Sequence, residues 1–252
     1  MPPDHAPQSA RAQLGTLAEA EAAAKGFESF ADAGAATDAR AAAVLMLFGV
    51  LDARASDHDA DAVSRDLDVL LLKRASTLRT NPGQIAFPGG RIDPDDAGPV
   101  AAALREAEEE TGLDPTGVEV LGALEIIPLD YSQHLVTPVL AWWRHPSPVR
   151  VVDEAESADV FRAPVADLLD PANRGVTVIR RDGQEWRGSG FLVHHAAGEH
   201  LVWGFTAMLL DGLFDRLGWT ESWDTTRELP LVLPGVDEVR RADVRVHRHL
   251  KG

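Results

Sequence analysis

The sequence predicts an α/β protein in which helices pack on a mixed β-sheet. Short apolar runs of strand length recur along the chain, stretches with helical spacing of apolar residues stand between them, and no segment repeats. The chain has 252 residues, of which 45% are hydrophobic. It is therefore long enough to bury a full core.

The first predicted elements are a helix and two strands. Leu14 and Leu17 have helical spacing, so we expect an N-terminal helix followed by a loose linker before residue 41. Apolar runs at 42–50 and 67–72 predict strands. The acidic stretch 57–61 between them predicts a hairpin-like excursion or a mobile loop.

The centre of the chain predicts a second helix, over 98–111. It should end at Gly112, because glycine is best suited to a left-handed C-terminal turn. The remaining predicted elements are strands at 118–127, 135–143, 176–179, 190–194 and 200–203, a turn at 130–133, a strand leading into a short helix at 160–169, and a helix at 206–217. The last 35 or so residues, with Pro230 and Pro234, predict an irregular extension with one edge strand at most, at 243–249.

Composition restricts the partners. A formal net charge of −16 argues against broad binding to nucleic acids or anionic membranes, and a phosphate substrate would need local basic residues. Absence of cysteine excludes disulfides, thiol nucleophiles and zinc-thiolate sites. Because the sequence shows neither a signal-peptide pattern nor an apolar run of roughly 20 residues, we expect a cytoplasmic enzyme with no nucleic-acid or membrane partner. The oligomeric state stays open, a homodimer included.

The predicted helix at 98–111 carries four carboxylates within five residues. At roughly 100° per residue, Glu106, Glu109 and Glu110 fall within one arc, and Glu108 points away from it. Like charges at this spacing destabilise a helix by roughly a few tenths of a kcal/mol per pair, which a bound cation would offset. Oxygen-only ligation indicates Mg²⁺ or Mn²⁺. The alternative is a solvated acidic helix face.

The glycine-rich loop before this helix completes a signature. The loop reads Phe-Pro-Gly-Gly at 87–90, and the helix carries Arg-Glu-x-x-Glu-Glu-x-Gly-Leu at 105–113. Together they resemble the Nudix box, which marks hydrolases of nucleoside diphosphates linked to another group. One residue is inserted between the halves, so that Asp96 stands six residues after Gly90 and nine before Arg105. The role of Asp96 is left open.

The resemblance implies a fold and a domain division. The expected fold is the Nudix α/β/α sandwich with a mixed β-sheet, formed by residues 41–217. Residues 1–40 would be an N-terminal helical extension and linker, and residues 218–252 a C-terminal extension.

The resemblance also implies roles for individual side chains. Glu106 and Glu110 would be the principal metal ligands, with Glu109 completing the shell. Arg105 would hold the loop and the helix together. Glu156, from outside the helix, would support metal binding or activate water, although it fits equally well as a side chain that decorates a loop.

The segment before the box is similar to the extended motif of the coenzyme A pyrophosphatase branch of this family. The matching positions are Arg74, Ala75, Leu78, Arg79, Gly83, Gln84, Phe87, Pro88, Gly89 and Gly90, while Leu72 and Asn81 depart from the motif. The substrate-binding residues expected from this resemblance are Lys73, Arg74, Arg79, Gln84, Phe87, Gly89 and Gly90. The three cations between 73 and 79 would supply the local basic patch that an acidic protein needs for a phosphate-rich substrate.

The expected reaction is therefore divalent-metal-dependent hydrolysis of coenzyme A and its thioesters, giving 3′,5′-ADP and 4′-phosphopantetheine derivatives. Two alternatives stay open. One is a Nudix hydrolase of ADP-ribose or another nucleoside diphosphate derivative. The other is a non-catalytic module that senses a nucleotide.

Two further patterns predict structure without chemistry. The histidines at 194, 195, 200, 247 and 249 lack helical ligand spacing and a supporting acidic pattern, so we interpret them as surface or partly buried side chains. Residues 188–190, Gly-Ser-Gly, predict a turn, and nothing around Ser189 suggests a nucleophile.

Overall fold

The computed structural model describes residues 9–24, 40–50, 55–129, 133–181, 183–195 and 198–231. The helices of this described part are α1 (Ala10–Ala24), α2 (Pro99–Thr111), α3 (Val165–Leu169) and α4 (Gly204–Leu217). Its strands are β1 (Arg40–Val50), β2 (Leu67–Arg74), β3 (Ile85–Ala86), β4 (Gly89–Arg91), β5 (Val118–Ala123), β6 (Ile127–Leu129), β7 (His134–Trp143), β8 (Ser157–Pro164), β9 (Arg174–Arg181), β10 (Gln184–His195) and β11 (Gly198–Val202). Single 3₁₀ turns occupy Pro115–Gly117 and Pro171–Asn173.

The main sheet has eight strands and is mixed, as the sequence predicts. Its central order is β3-β2-β1-β7-β5, with β4 paired to β1, β6 to β7 and β8 to β2. The β1–β7 pair is parallel, with Ala43 opposite Thr137, and the other described pairs of this sheet are antiparallel. This arrangement brings the end of β2 and the short strand β4 close to the helix that carries the acidic cluster.

A second, three-stranded sheet has the order β11-β10-β9 and is antiparallel throughout. The sequence predicts its strands but not that they leave the main sheet. The predicted turn at 188–190 is wrong, because these residues lie inside β10. The glycine there has a packing role instead: a Cβ at Gly190 would lie 2.9 Å from Cγ2 of Thr177 on the neighbouring strand.

Helices cover both faces of the main sheet, which confirms the predicted α/β/α sandwich. On one face α2 packs closely, because its buried positions are the small residues Ala102, Ala103 and Ala107, which contact Leu45 and Leu47 of β1. The other face carries α1, α3, α4 and the second sheet in a larger apolar cluster. The acidic side of α2 is therefore the side that does not face this apolar core.

The predicted end of α2 is confirmed. Gly112 has φ 68°, in the left-handed region, and its N–H donates to the carbonyl of Glu108 at 2.8 Å. The helix begins with Pro99 at its first position, where the missing N–H costs no hydrogen bond.

Other predicted elements differ in detail. The strand predicted at 118–127 is divided into β5 and β6, and the short strands β3 and β4 lie where the sequence predicts only a loop. Residues 55–66, which include the predicted excursion at 57–61, contain no strand, and the hydroxyl of Ser56 donates a hydrogen bond to Asp167. Most of the predicted turn at 130–133 and the predicted edge strand at 243–249 lie outside the described residues.

The domain division stays a prediction, but described parts of both proposed extensions pack on the body of the protein. Leu14 and Trp219 are buried in the larger apolar cluster of the protein, and the indole N–H of Trp219 also donates to the side-chain oxygen of Gln13 at 2.7 Å, which joins the two extensions. Within the described part of the chain, we find no helix with the length and apolar content needed to cross a membrane.

Candidate active site

The acidic side of α2 separates its glutamates by exposure. Glu106 and Glu110, one helical turn apart, are partly buried against the segment that contains β4. Glu109 is exposed, with 58% of its side-chain surface accessible, and Glu108 is exposed as well. The inner pair therefore forms the floor of a candidate metal site, and Glu109 lies at its rim.

Two glycines let the backbone lie directly against this carboxylate pair. A Cβ on Gly90 would stand 2.4 Å from Cδ of Glu106, closer than two non-bonded carbons approach. A Cβ on Gly89 would stand 2.3 Å from the carbonyl oxygen of Ala43 on β1. Gly89 thus requires glycine because backbone atoms of β1 fill the space, and a side chain at Gly90 would displace the Glu106 carboxylate.

Glu110 is the most strongly perturbed carboxylate of this site. Its Oε2 accepts a hydrogen bond from the N–H of Gly89 at 2.9 Å. Burial raises the pKa of Glu110 to about 7, and the negative charge of Glu106 adds to this, while the Gly89 N–H and the positive charge of Arg74 act in the opposite direction. Burial also raises the pKa of Glu106. Two ionised carboxylates that are close together and partly removed from water repel each other, and a bound divalent cation would stabilise them.

Arg105 joins the loop to the helix, and Asp96 is its main partner. The guanidinium donates to both carboxylate oxygens of Asp96, at 3.0 and 2.9 Å, and to the carbonyl of Arg91 at 3.0 Å. It also donates to Glu106 at 3.1 Å and to Glu109 at 3.0 Å. The Asp96 side chain is 6% exposed, and its hydrogen bonds to Arg105 hold the pKa of its carboxyl below the usual value. The inserted residue therefore still leaves an acidic partner for the arginine, which answers the question that the sequence left open.

The end of β2 divides the predicted basic patch. Successive side chains of a strand face opposite sides of the sheet, although the pairing of β2 with β8 changes register between Lys73 and Arg74. Arg74 lies on the α2 side, where its charge acts on Glu110, whereas Lys73 lies on the other side, where its charge acts on His200. The prediction that Lys73 and Arg74 form one patch is therefore wrong.

The loop between β2 and β3 contains the remaining predicted substrate residues. Arg79 is exposed, and the backbone carbonyl of Gln84 accepts from the N–H of Arg74 at 2.9 Å. Phe87 is 3% exposed and packs in the apolar core with Ile85 and Phe161. The expectation that Phe87 contacts substrate is wrong, because its ring is buried; it anchors the loop that carries the two glycines.

Glu156 lies just before β8, on the segment that passes the end of β2. Its side chain is exposed, and its backbone carbonyl accepts from the N–H of Ala75 at 2.8 Å. Its negative charge contributes, as the smallest of the five influences, to the raised pKa of Glu110. This places a third carboxylate within electrostatic reach of the inner pair, while its catalytic role stays a prediction.

One cluster was missed by sequence reasoning. His195 and His200 were expected to lack an acidic partner, but Asp159 lies beside both of them, with its Oδ2 3.4 Å from Nδ1 of His195 and 3.6 Å from Nε2 of His200. Histidines five residues apart across a hairpin turn are the signal that could have found it, because that spacing brings both onto one face of a strand pair.

Comparison with known proteins places these residues in a family context. The profile of the NUDIX domain matches residues 58–178. The chain is 37% identical over 150 residues to the uncharacterized Nudix hydrolase NudL of Photorhabdus laumondii, a match that covers 59% of this chain and 76% of that protein. It is also 37% identical over 153 residues to Nudix hydrolase 15, mitochondrial, of Arabidopsis thaliana, covering 58% of this chain and 51% of that one. Among solved structures, the NUDIX domain of Shewanella oneidensis NrtR, complexed with ADP ribose, is 23% identical with a TM-score of 0.40, covering 55% of this chain and 80% of that one.

Proposed function

The chain belongs to the Nudix family, and we propose that it hydrolyses the diphosphate bond of coenzyme A and its thioesters with the help of Mg²⁺ or Mn²⁺. The observation that carries the proposal is the convergence of Glu106 and Glu110 on the Gly89–Gly90 backbone, with Arg74 on the same side. Acidic, glycine and basic groups thus meet where a diphosphate and a cation would be bound together.

The residues present fit a hard divalent cation. All the candidate ligands are carboxylate oxygens, the type that Mg²⁺ and Mn²⁺ prefer. One oxygen of Glu110 is held by Gly89 and one oxygen of Glu106 by Arg105, which leaves each carboxylate a second oxygen. When bound, the ion neutralises charge on the diphosphate and lowers the pKa of a coordinated water.

The side chains of the protein would orient the reactants. Arg105, fixed to Asp96, keeps Glu106 in place before substrate arrives, so little reorganisation is needed at the moment of reaction. Arg74 would pair with a phosphate oxygen. In the reaction, the oxygen of water bonds to one phosphorus as the bridging P–O bond breaks, and the released proton is taken up by a base, for which Glu156 is our candidate.

The substrate assignment draws support from the segment 71–90, which is similar to the motif of the coenzyme A pyrophosphatase branch. Coenzyme A carries a 3′-phosphate in addition to its diphosphate, so we expect more than one cationic side chain to contact it. Arg79 is exposed on the loop after β2 and is available for that second phosphate.

Product analysis tests the proposal. The protein would be incubated with coenzyme A, 3′-dephospho-coenzyme A or ADP-ribose, each with Mg²⁺, Mn²⁺ or a chelator, and the products separated by chromatography and weighed by mass spectrometry. We expect 3′,5′-ADP and 4′-phosphopantetheine from coenzyme A, a kcat/KM at least ~10-fold lower without the 3′-phosphate, and no turnover with the chelator.

Two outcomes would contradict it in distinguishable ways. Preference for ADP-ribose, or indifference to the 3′-phosphate, would favour the alternative of a hydrolase of other nucleoside diphosphate derivatives. Binding of nucleotides without metal-dependent turnover of any of them would favour a sensing module. Glu110→Gln serves as the inactive control in each series.

A further inference from the structure

A second group of possible metal ligands lies on the other face of the main sheet. It consists of Asp159 on β8, His195 at the end of β10 and His200 on β11. One ligand atom from each lies within 4.8 Å of the other two. Unlike the α2 site, this group combines two imidazoles with one carboxylate, and it draws them from three strands.

The group contains buried polar atoms that make no hydrogen bond among the described residues, although Asp159 lies within ion-pair distance of both histidines. His200 is 6% exposed, and its Nε2 has no hydrogen-bond partner among the described residues; the same holds for Oδ2 of Asp159. The two atoms face each other at 3.6 Å, which is too long for a hydrogen bond. Leaving such atoms unpaired in the interior costs free energy, so a native structure rarely does so without a ligand or ion.

We propose that Asp159, His195 and His200 bind Zn²⁺ through one carboxylate oxygen and two imidazole nitrogens. Zinc bonds of about 2.0–2.2 Å arranged tetrahedrally place neighbouring ligand atoms about 3.4 Å apart. The observed separations from Oδ2 of Asp159 are 3.4 Å to His195 and 3.6 Å to His200. Two of the three ligand separations therefore already match such a site, and the third, between the two histidines, is at most 4.8 Å.

The β10–β11 hairpin explains why the two histidines converge. Val193 is the direct partner of His200 and Gly198 is the direct partner of His195, so the two histidines are diagonal neighbours on one face of the hairpin. Phe161 holds both rings, with centroids 5.0 Å from His195 and 5.2 Å from His200. The ligands are thus positioned by packing before any ion arrives.

The charges around the group favour a neutral His200. Burial lowers the pKa of His200, the positive charge of Lys73 adds to this, and Asp159 acts in the opposite direction. A neutral imidazole is the form that binds a metal. Lys73 is directly opposite Asp159 in the strand pair and opposes a cation, although its charge lies at the end of a flexible stem.

The site would join the two sheets. Asp159 belongs to the main sheet and the histidines to the second sheet, so one ion would link β8 to the β10–β11 hairpin. Its imidazole nitrogen ligands favour a different metal from the oxygen ligands of α2, and three protein ligands leave a further position for solvent. The inference does not depend on the substrate of the α2 site.

Metal titration of the full chain, prepared without a histidine tag and stripped with chelator, tests the site. Zn²⁺ binding would be measured by calorimetry in excess Mg²⁺, and Co²⁺ would be added separately to record the visible absorption of a tetrahedral ion. Wild type is compared with Asp159→Asn, His195→Ala and His200→Ala. His194→Ala is the matched control, because His194 is exposed and neighbours the site in sequence.

We expect one tight Zn²⁺ site in wild type, a tetrahedral Co²⁺ spectrum and a rise in Tm of ~5 °C on saturation. Asp159→Asn and His195→Ala should weaken Zn²⁺ binding ~100-fold, as should His200→Ala if it folds, whereas His194→Ala and the Glu106→Gln/Glu110→Gln double variant should retain it. The proposal would be overturned if wild type does not bind Zn²⁺ tightly, or if Asp159→Asn and His195→Ala bind Zn²⁺ as tightly as wild type does.

Discussion

Lys73 and Arg74 are neighbours at the end of β2, yet their side chains belong to two different environments. On the α2 side, Arg74 acts on Glu110, whose carboxylate is held by the backbone of Gly89. On the other side, Lys73 acts on His200. The end of one strand therefore separates an oxygen-rich site from a nitrogen-containing one.

The two sides also differ in how the chain builds them. Apart from Glu156, the candidate groups of the α2 side come from one continuous segment, 74–110, in which a strand end, a glycine-rich loop and a helix follow each other. The second side collects single residues from β8, β10 and β11. Chemistry that lies on one segment can be recognised from its spacing, whereas chemistry assembled by strand pairing can be recognised only when the pairing is known.

The largest expected effect comes from the carboxylates of α2. Glu110→Gln should lower kcat by ~1,000-fold, because it removes an anionic oxygen from the proposed metal site while keeping its shape. Glu108→Gln, two positions earlier on the same helix but exposed, should change kcat by less than ~2-fold. Steady-state kinetics with coenzyme A and Mg²⁺ provides the measurement. Equal losses in both variants would contradict the assignment of the helix faces.

A smaller loss of activity should follow when a methyl group is added at Gly90, which lies against Glu106. Gly90→Ala would place a methyl group 2.4 Å from Cδ of Glu106, so the carboxylate must move, and we expect kcat/KM to fall ~100-fold. Gly15→Ala in α1 is the control, since a Cβ there meets nothing within 4 Å and alanine favours a helix. Wild-type activity in Gly90→Ala would show that the loop and Glu106 are not in contact during turnover.

Substitution of Arg74 and Lys73, which lie on opposite faces at the end of β2, tests the comparison between the two faces most sharply. Arg74→Ala should lower kcat/KM by ~10-fold to 100-fold through loss of a phosphate contact. Lys73→Ala removes the same charge one residue away and should change kcat/KM by less than ~3-fold. A matched effect of both substitutions would mean that net charge near the end of β2, rather than the face, determines substrate binding.

The smallest expected effect concerns Asp68, a buried carboxylate on the α2 face of the main sheet. Asp68 is 4% exposed, its Oδ1 has no hydrogen-bond partner among the described residues, and burial raises its pKa from 3.8 to about 7. Between about pH 4 and pH 7 the carboxyl group of Asp68 therefore stays protonated in the folded state and ionises in the unfolded state. The free energy of unfolding should fall as pH rises through this range.

Asp68→Asn should remove that part of the pH dependence. At pH 8 we expect the variant to be more stable than wild type by about 1–2 kcal/mol, and at pH 4 to show no such gain. Urea denaturation at both pH values measures this, with the neighbouring Asp66→Asn as control. A gain of the same size at both pH values would show that ionisation of Asp68 is not the cause.

The sequence predicted the α2 side closely because its signals are local. Glycines before a helix, an arginine at its middle and a glycine at its end predict, without knowledge of the sheet, that Arg105, Glu106 and Glu110 lie on one helix beside the loop, while their catalytic and metal-binding roles stay a prediction. The partner of Arg105 could not be read, since Asp96 reaches it by the course of the loop.

The failures have a common physical cause, which is that strand pairing decides them. Lys73 and Arg74 look like one patch until strand alternation separates them, and Phe87 looks like a ligand contact until the fold places it in the apolar core. The histidines acquire an acidic neighbour only when the second sheet meets β8.

Mn²⁺ binding measured by electron paramagnetic resonance tests the central claim, that Glu106 and Glu110 hold the catalytic cation. All proteins would carry Asp159→Asn, so that the second cluster does not contribute. We predict that this background binds Mn²⁺, that adding Glu108→Gln leaves the affinity unchanged within ~2-fold, and that adding Glu106→Gln with Glu110→Gln lowers it by at least ~30-fold. Unchanged Mn²⁺ affinity in the last protein would contradict the account.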